Sequence, residues 1–241
     1  MAYGAVMAEY EVDELFTVPR ERAVLVPGAV HVPGWLDPAR QQRLVDVARE
    51  WVRAAPMEHK VLAGGGRMSV QSVMLGSGRA TYGYGADGGC RAPELPEWLV
   101  ALGARAVADA YLGDPGHDVG LPDAARLVRD FAPDSALVNF YDDAAHMGMH
   151  QDKDEFSAAP IVSLSLGDTC VFRFGNTETR AAPYQDVELR SGDLFVFGGP
   201  SRYAFHGVPK VLPGTGGRQL GLKNGGRLNI TLRMTGGCGG R

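Results

Sequence analysis

The sequence predicts a mainly β protein with flanking helices, an α+β chain whose second half closes into a two-sheet barrel or jelly roll. Three observations point there. Glycine supplies 33 of 241 residues, roughly twice its usual share of about 7 %, which suits many tight turns better than long helices. From Ser135 onward the chain divides into eight short runs of alternating or continuous apolar character: "ALVNFY", "MGMHQD", "PIVSLSLG", "TCVFRFG", "YQDVELR", "DLFVFGG", "YAFHGV" and "LNITLR". Ahead of them, two stretches repeat their apolar residues at helical spacing.

The elements follow in order. The first 20 residues have no clear period and read as an irregular arm, with a short helical turn at "EVDELF". In "LDPARQQRLVDVAREWVRAAP", Asp37 is suited to cap a helix that begins at Pro38. Leu44, Val47, Ala48, Trp51 and Val52 form its apolar stripe, and Pro56 closes it. Residues 61–92 are glycine-rich, with "RMSVQSVML" and the aromatic pair in "TYGYG", and read as one or two hairpins forming a flap. A second helix is expected from about Pro96 to Gly113, and a short third one from Asp123 to Phe131. Repeats and low-complexity tracts are absent from the sequence.

A net charge of −4 and a pI near 5.9 exclude the strongly basic footprint of a non-specific nucleic-acid binder. The distribution is uneven, however. Met1 to Leu15 carries Glu9, Glu11, Asp13 and Glu14 without a base, whereas Lys60 to Ala92 carries Lys60, Arg67, Arg79 and Arg91 against Asp87 alone, a local patch able to meet a phosphate backbone. Cys90, Cys170 and Cys238 have no metal-like spacing and read as reduced thiols. No apolar run approaches the roughly 18 residues of a membrane helix, and the acidic start is unlike a secretory signal, so no membrane partner and a cytoplasmic location are expected. With no coiled-coil seam in the sequence, a monomer is the default expectation.

The chemistry concentrates in "MHQDKDEF". On a strand His150 and Asp152 face one way while Gln151 turns aside, and a second histidine, His206, stands in the later run "YAFHGVP". His-x-Asp with a distant histidine is the composition of a two-histidine, one-carboxylate triad, which holds Fe(II) and leaves positions for a cosubstrate and dioxygen. A solvated charged turn is the competing reading. The last run, "GRLNITLRM", places Arg227, Asn229, Thr231 and Arg233 on one face and Leu228, Ile230 and Leu232 on the other. Two buried guanidiniums are costly unless an anion meets them, and a dicarboxylate fits a pair of arginine forks; an exposed edge strand is the alternative. Alternation also brings Asn139 and Tyr141 together. His146 reads as a loop residue near the mouth, and His31, His59 and His117 as surface or supporting groups.

"FAPDSALVNFY", "HQDKDE", "APIVSLSLG", "FRFG", "SRYAFHGV" and "RLNITLR", in this order, resemble the AlkB family of Fe(II)- and 2-oxoglutarate-dependent dealkylases, with a weaker echo at "MSV", Met68 to Val70. The resemblance implies a double-stranded β-helix and iron held by His150, Asp152 and His206. It implies a 2-oxoglutarate clamp of Arg227, Asn229 and Arg233 assisted by Asn139 and Tyr141, with Ser163 and Phe172 lining that pocket. It places Asp154 against the exocyclic amino group of a substrate base and Met68 in the substrate region. Arg202 falls on a family arginine, and its solvent-exposed reading stays open. The implied reaction consumes O2 and 2-oxoglutarate, demethylates N-alkylated bases of the 1-methyladenine or 3-methylcytosine type in single- or double-stranded DNA or RNA, and releases formaldehyde, succinate and CO2. A flipped base is required, because a duplex hides the methyl group.

The flap departs from the best-known members, since no tryptophan lies between Met57 and Cys90, where Tyr82 and Tyr84 are the only aromatics. Tyr82 is the candidate for stacking on the base, with plain flap packing equally open. The expected organisation is residues 1–130 as N-terminal helices and nucleotide-recognition flap and residues 131–241 as the catalytic jelly roll, integrated as one domain. A 2-oxoglutarate oxygenase acting on a protein or small molecule, and a barrel that binds alkylated nucleic acid without repairing it, are the alternatives.

Overall fold

The computed structural model describes residues 20–61, 65–77, 93–153, 157–222 and 224–236. All eight runs expected from Ser135 onward form strands: β5 Ser135–Tyr141, β6 Met147–His150, β7 Ile161–Gly167, β8 Thr169–Gly175, β9 Tyr184–Leu189, β10 Leu194–Phe197, β11 His206–Leu212 and β12 Arg227–Arg233. Among the described residues three helices lie where the sequence puts them: α1 Pro38–Ala54, α2 Glu97–Leu112 and α3 Ala124–Asp130. Asp37 caps α1 by accepting the Arg40 amide at 2.8 Å, and Pro38 fills the first turn, where its missing N–H is not needed.

Four further strands precede these. β4 Arg67–Gly76 holds the expected "RMSVQSVML" run but pairs with β3 Glu58–Val61, which lies almost wholly before the segment 61–92 where the hairpin is expected; β1 Ala23–Val26 and β2 Ala29–Val32 are not expected from the sequence. Each of the latter is only four residues long, and the turn between them depends on Gly28, whose φ of +79° suits glycine. A Cβ there would stand 2.2 Å from the Gly198 carbonyl oxygen.

The strands form an eight-stranded sheet in the order β1-β2-β10-β7-β12-β5-β4-β3 and a four-stranded sheet in the order β6-β11-β8-β9. The pairings are antiparallel. Strands β10, β7, β12 and β5 lie opposite the smaller sheet as the jelly roll, and Phe172 of β8 meets Phe195 of β10 edge-on at 4.9 Å. On the other face of the large sheet, Val162, Leu164, Ile230 and Leu232 join Leu44, Trp51, Leu99 and Val107 of α1 and α2 in one core. Burying such a side chain contributes about 1.5–3 kcal/mol.

Strand β12 sits between β7 and β5, so it is a central strand and the edge-strand alternative is excluded. Its apolar residues face the helices, and the alternating Arg227, Asn229, Thr231 and Arg233 are buried between the sheets. Among the described residues no helix is long and apolar enough to cross a membrane. Cys170 is a buried free thiol; Cys90, Cys238, the segment "EVDELF" and the "TYGYG" pair lie outside the described residues.

His31, expected to be a surface or supporting group, is buried against Asp193, with Nε2 3.0 Å from Oδ2. Asp193 also accepts both Arg20 guanidinium nitrogens and the amides of Gly34 and Arg190, joining β10 to the segments flanking β1 and β2. Burial alone would raise its pKa, but these donors outweigh that and hold it at about 2, below the ordinary 3.8. The folded form therefore binds this proton less readily than the unfolded chain. Its stabilisation is full above about pH 4 and is lost as pH falls through about 2. Asp193→Asn should cost roughly 3 kcal/mol near neutral pH and flatten the decline of the denaturation midpoint between pH 4 and 2 relative to the native chain.

Candidate active site

The two histidines meet because β6 and β11 are antiparallel neighbours with His150 directly opposite His206. Their ring centroids are 4.5 Å apart. Gly207 permits this approach, since a Cβ there would lie 2.7 Å from the Met147 carbonyl oxygen, a backbone atom that β6 cannot withdraw without moving. In each imidazole, Nδ1 faces a carbonyl oxygen: Gly148 at 2.9 Å for His150 and Ala204 at 3.0 Å for His206. A carbonyl only accepts, so the proton sits on Nδ1 and each Nε2 presents its lone pair to the space between the rings.

Asp152 completes the cluster from beyond the end of β6, so its aim does not come from the strand alternation that the sequence suggested. Its Oδ1 is 3.7 Å from His150 Nε2 and its Oδ2 is 3.7 Å from His206 Nε2, and the three ligand atoms lie within 4.8 Å of one another. Burial works against its charge, but Arg233, His206, His150 and Arg202 outweigh it and hold the carboxyl at about 2. For His206, burial and the neighbouring His150 lower the pKa to about 4 against the pull of Asp152, so the ring is neutral near pH 7. An anionic carboxylate and a neutral imidazole are the forms that ligate Fe(II).

The triad opens into a cavity of about 620 Å³ that runs between the sheets. At its buried end, Arg227 is 1 % exposed, stacks at 5.2 Å over the Tyr141 ring and donates through Nη2 to Ser165 Oγ at 3.0 Å. Among the described residues its Nε and Nη1 are buried without an oxygen acceptor, the Cys170 thiol being the neighbouring polar group. A buried guanidinium only partly matched, in a largely apolar cavity, is the feature an incoming carboxylate would satisfy, so the 2-oxoglutarate expectation fits these residues. Asn229 donates to Ser163 Oγ at 2.8 Å and to the Leu164 carbonyl at 3.1 Å, while Asn139 accepts from Ser72 Oγ at 2.6 Å. Arg233 Nη2 lies 2.7 Å from Asp152 Oδ2, linking this end to the triad. Phe172 packs 5.9 Å from the His206 ring.

The cavity thus brings together His150, Asp152, His206, Asn139, Tyr141, Ser163, Phe172, Arg227, Asn229, Arg233 and Met68. Tyr82, Tyr84 and Asp154 lie outside the described residues. His146 lines the mouth from a loop, together with Lys60, Arg67 and Arg180. Sequence reasoning left out Ser72 and Thr231 as site residues. Thr231 stood on the right face of β12 and donates to Asn229 Oδ1 at 3.0 Å; Ser72 is found only through its register with Asn139. Arg202 is 2 % exposed, which rules out its solvent-exposed reading.

A family model described as the 2OG-Fe(II) oxygenase superfamily matches residues 28–233. The AlkB homolog of Caulobacter vibrioides, an alpha-ketoglutarate-dependent dioxygenase, is 38 % identical over 222 residues, covering 87 % of this chain and 88 % of the relative. A protein of Arabidopsis thaliana named DNA N(6)-methyladenine demethylase ALKBH1D is 32 % identical, covering 95 % of this chain and 54 % of the relative. The solved structure of OsALKBH1 superposes with a TM-score of 0.73 at 31 % identity, covering 89 % of this chain and all of that one. With its Fe(II)-type triad and unmatched arginine in one cavity, the chain belongs to the 2OG-Fe(II) oxygenase superfamily as an AlkB-type, 2-oxoglutarate-dependent dioxygenase.

Proposed function

We propose that this protein removes methyl groups from N-alkylated bases, of the 1-methyladenine or 3-methylcytosine type, in DNA or RNA. The observation that carries the reading is a metal-ligand triad and an unmatched buried arginine facing one cavity whose mouth is lined by Lys60, Arg67 and Arg180. Relatives named for dioxygenase and DNA demethylase activity support it.

His150, Asp152 and His206 would hold iron from one side, leaving the other side to cosubstrate and O2. Arg227 would take the distal carboxylate of 2-oxoglutarate, with Tyr141, Asn139 and Asn229 fixing its orientation and Ser163 and Phe172 shaping its walls. Bound together, iron and 2-oxoglutarate supply O2 activation: the cosubstrate leaves as succinate and CO2, and the N-methyl carbon is hydroxylated and lost as formaldehyde. The chain's own task is placement. Phe172, Ile161 and Phe197 give apolar walls beside the triad, and Met68 borders the space where an extruded base would enter. Lys60, Arg67 and Arg180 would meet backbone phosphates. Asp154 and Tyr82 or Tyr84 are the proposed base-reading and stacking contacts.

In this reading residues 1–130 are the recognition part and residues 131–241 the catalytic core of one integrated domain. All three ligands fall in the latter. The protein is taken to act as a cytoplasmic monomer on single- or double-stranded substrate.

Aerobic incubation with Fe(II), 2-oxoglutarate and short oligonucleotides carrying 1-methyladenine or 3-methylcytosine should remove one methyl group, with formaldehyde and succinate formed in equal amounts. Asp152→Ala should abolish this. Succinate formation without methyl loss on any alkylated oligonucleotide would overturn the substrate assignment and direct the search to proteins or small molecules. Arg227→Gln removes the charge that faces the cosubstrate and should weaken 2-oxoglutarate binding on the order of 100-fold, about 3 kcal/mol, as read by equilibrium titration. A variant with unchanged affinity would place the carboxylate elsewhere.

A further inference from the structure

Of two side chains next to the triad, Gln151 has no part in the chemistry above and Arg202 enters it only as one of the charges that lower the Asp152 pKa. Gln151 lies between His150 and Asp152, and its Nε2 donates to the Tyr203 carbonyl, in the segment before β11, at 2.7 Å and to the Thr177 carbonyl, in the β8–β9 connection, at 3.0 Å. Arg202 reaches the other way. Its Nη1 donates to the Asp152 carbonyl at 2.6 Å and its Nε to the Ala159 carbonyl at 2.7 Å. A longer contact of 3.4 Å joins its Nη2 to the Ser157 carbonyl. Residues 151–152 and 202–203 are therefore stitched twice, in opposite senses, each side chain bonding the backbone beside the other.

The location of this stitch matters. Sheet pairing ends at the His150–His206 register pair, and β6 stops there, so no strand ladder extends to Asp152. A metal ligand must nevertheless be held to within about 0.5 Å of its working position. Arg202 is suited to that task because its planar fork offers several donors in fixed directions, whereas a lysine ammonium is a single point on a flexible stem. It is also deeply buried, at 2 % exposure, so its position is set by its surroundings.

We propose that Gln151 and Arg202 are positioning residues for the metal centre: a reciprocal pair that fixes Asp152 against His206 beyond the reach of the sheet. The inference rests on the metal reading of the triad but requires nothing about the substrate. Neither residue belongs to the ligand cluster, so their loss should displace a ligand while leaving the clamp at Arg227 intact.

The test is anaerobic Co(II) titration of the full-length protein with 2-oxoglutarate present, followed by the visible spectrum of the bound ion, for the native chain, Gln151→Ala, Arg202→Lys and the double variant. Asp152→Ala serves as the two-ligand reference, and thermal melting monitors the fold. Each single variant should bind Co(II) at least 10-fold more weakly, with a spectrum shifted toward that of Asp152→Ala. The double variant should lose less than the product of the two single effects, because both stitches hold the same segment. Native affinity and spectrum in both folded single variants would overturn the proposal. So would loss of cooperative melting in Arg202→Lys combined with native metal binding in Gln151→Ala, which would make Arg202 a determinant of the fold alone. A native chain that binds no Co(II) would instead refute the metal reading itself, so the two failures are distinguishable.

Discussion

The site depends on one strand pairing, that of β6 with β11. It sets His150 opposite His206 and brings two imidazoles that are distant in sequence to 4.5 Å between ring centres. Much of the surrounding detail serves that approach. Gly207 keeps a side chain out of the gap, and carbonyls of Gly148 and Ala204 fix both tautomers. The aromatic group Phe172, Phe174, Phe195 and Phe197 gives the smaller sheet an apolar support against β10. A shift of β6 by one residue would turn His150 to the other face and dissolve the cluster.

The second constraint is the polar face of β12. Burying Arg227, Asn229, Thr231 and Arg233 in the centre of a sheet costs stability unless each finds a partner, and the partners are mostly local: Ser165 for Arg227, Ser163 for Asn229, Asn229 for Thr231 and Asp152 for Arg233. Among the described residues Arg227 is satisfied at one nitrogen and meets no oxygen acceptor at two others. Incomplete satisfaction at one buried end and a metal-ligand triad at the other define a cavity polarised along its length. A small dicarboxylate would bridge the two ends, and the apolar faces of β12 and β7, packed on α1 and α2, supply the stability that offsets the polar interior.

Much of this was legible in the sequence, and for identifiable reasons. Alternation on "RLNITLR" gave the buried polar face, and helical spacing with Asp37 and Pro38 gave α1. The sequence places His150 and His206 in one triad by composition but not in direct opposition, because register is a tertiary property. Asp152 belongs to the cluster but not through strand alternation, since it lies past the end of β6 and is held by contacts that no local pattern encodes. Arg202 shows the same limit: a buried cation bonded to carbonyls leaves no complementary acid in the sequence pattern to reveal it. Ser72 was missed because only the β4–β5 register places it against Asn139. The four-residue strands β1 and β2 are too short for a period to show.

One cavity would hold a metal at the triad and 2-oxoglutarate at the arginine end, with the cosubstrate reaching the ion. Anaerobic addition of Fe(II) and 2-oxoglutarate, followed by visible absorption, tests it most directly. A charge-transfer band should appear that saturates at one equivalent of each, requires both, and disappears in His206→Ala. Absence of the band in the native chain, or its persistence in His206→Ala, would rule out a shared metal and 2-oxoglutarate site at the triad.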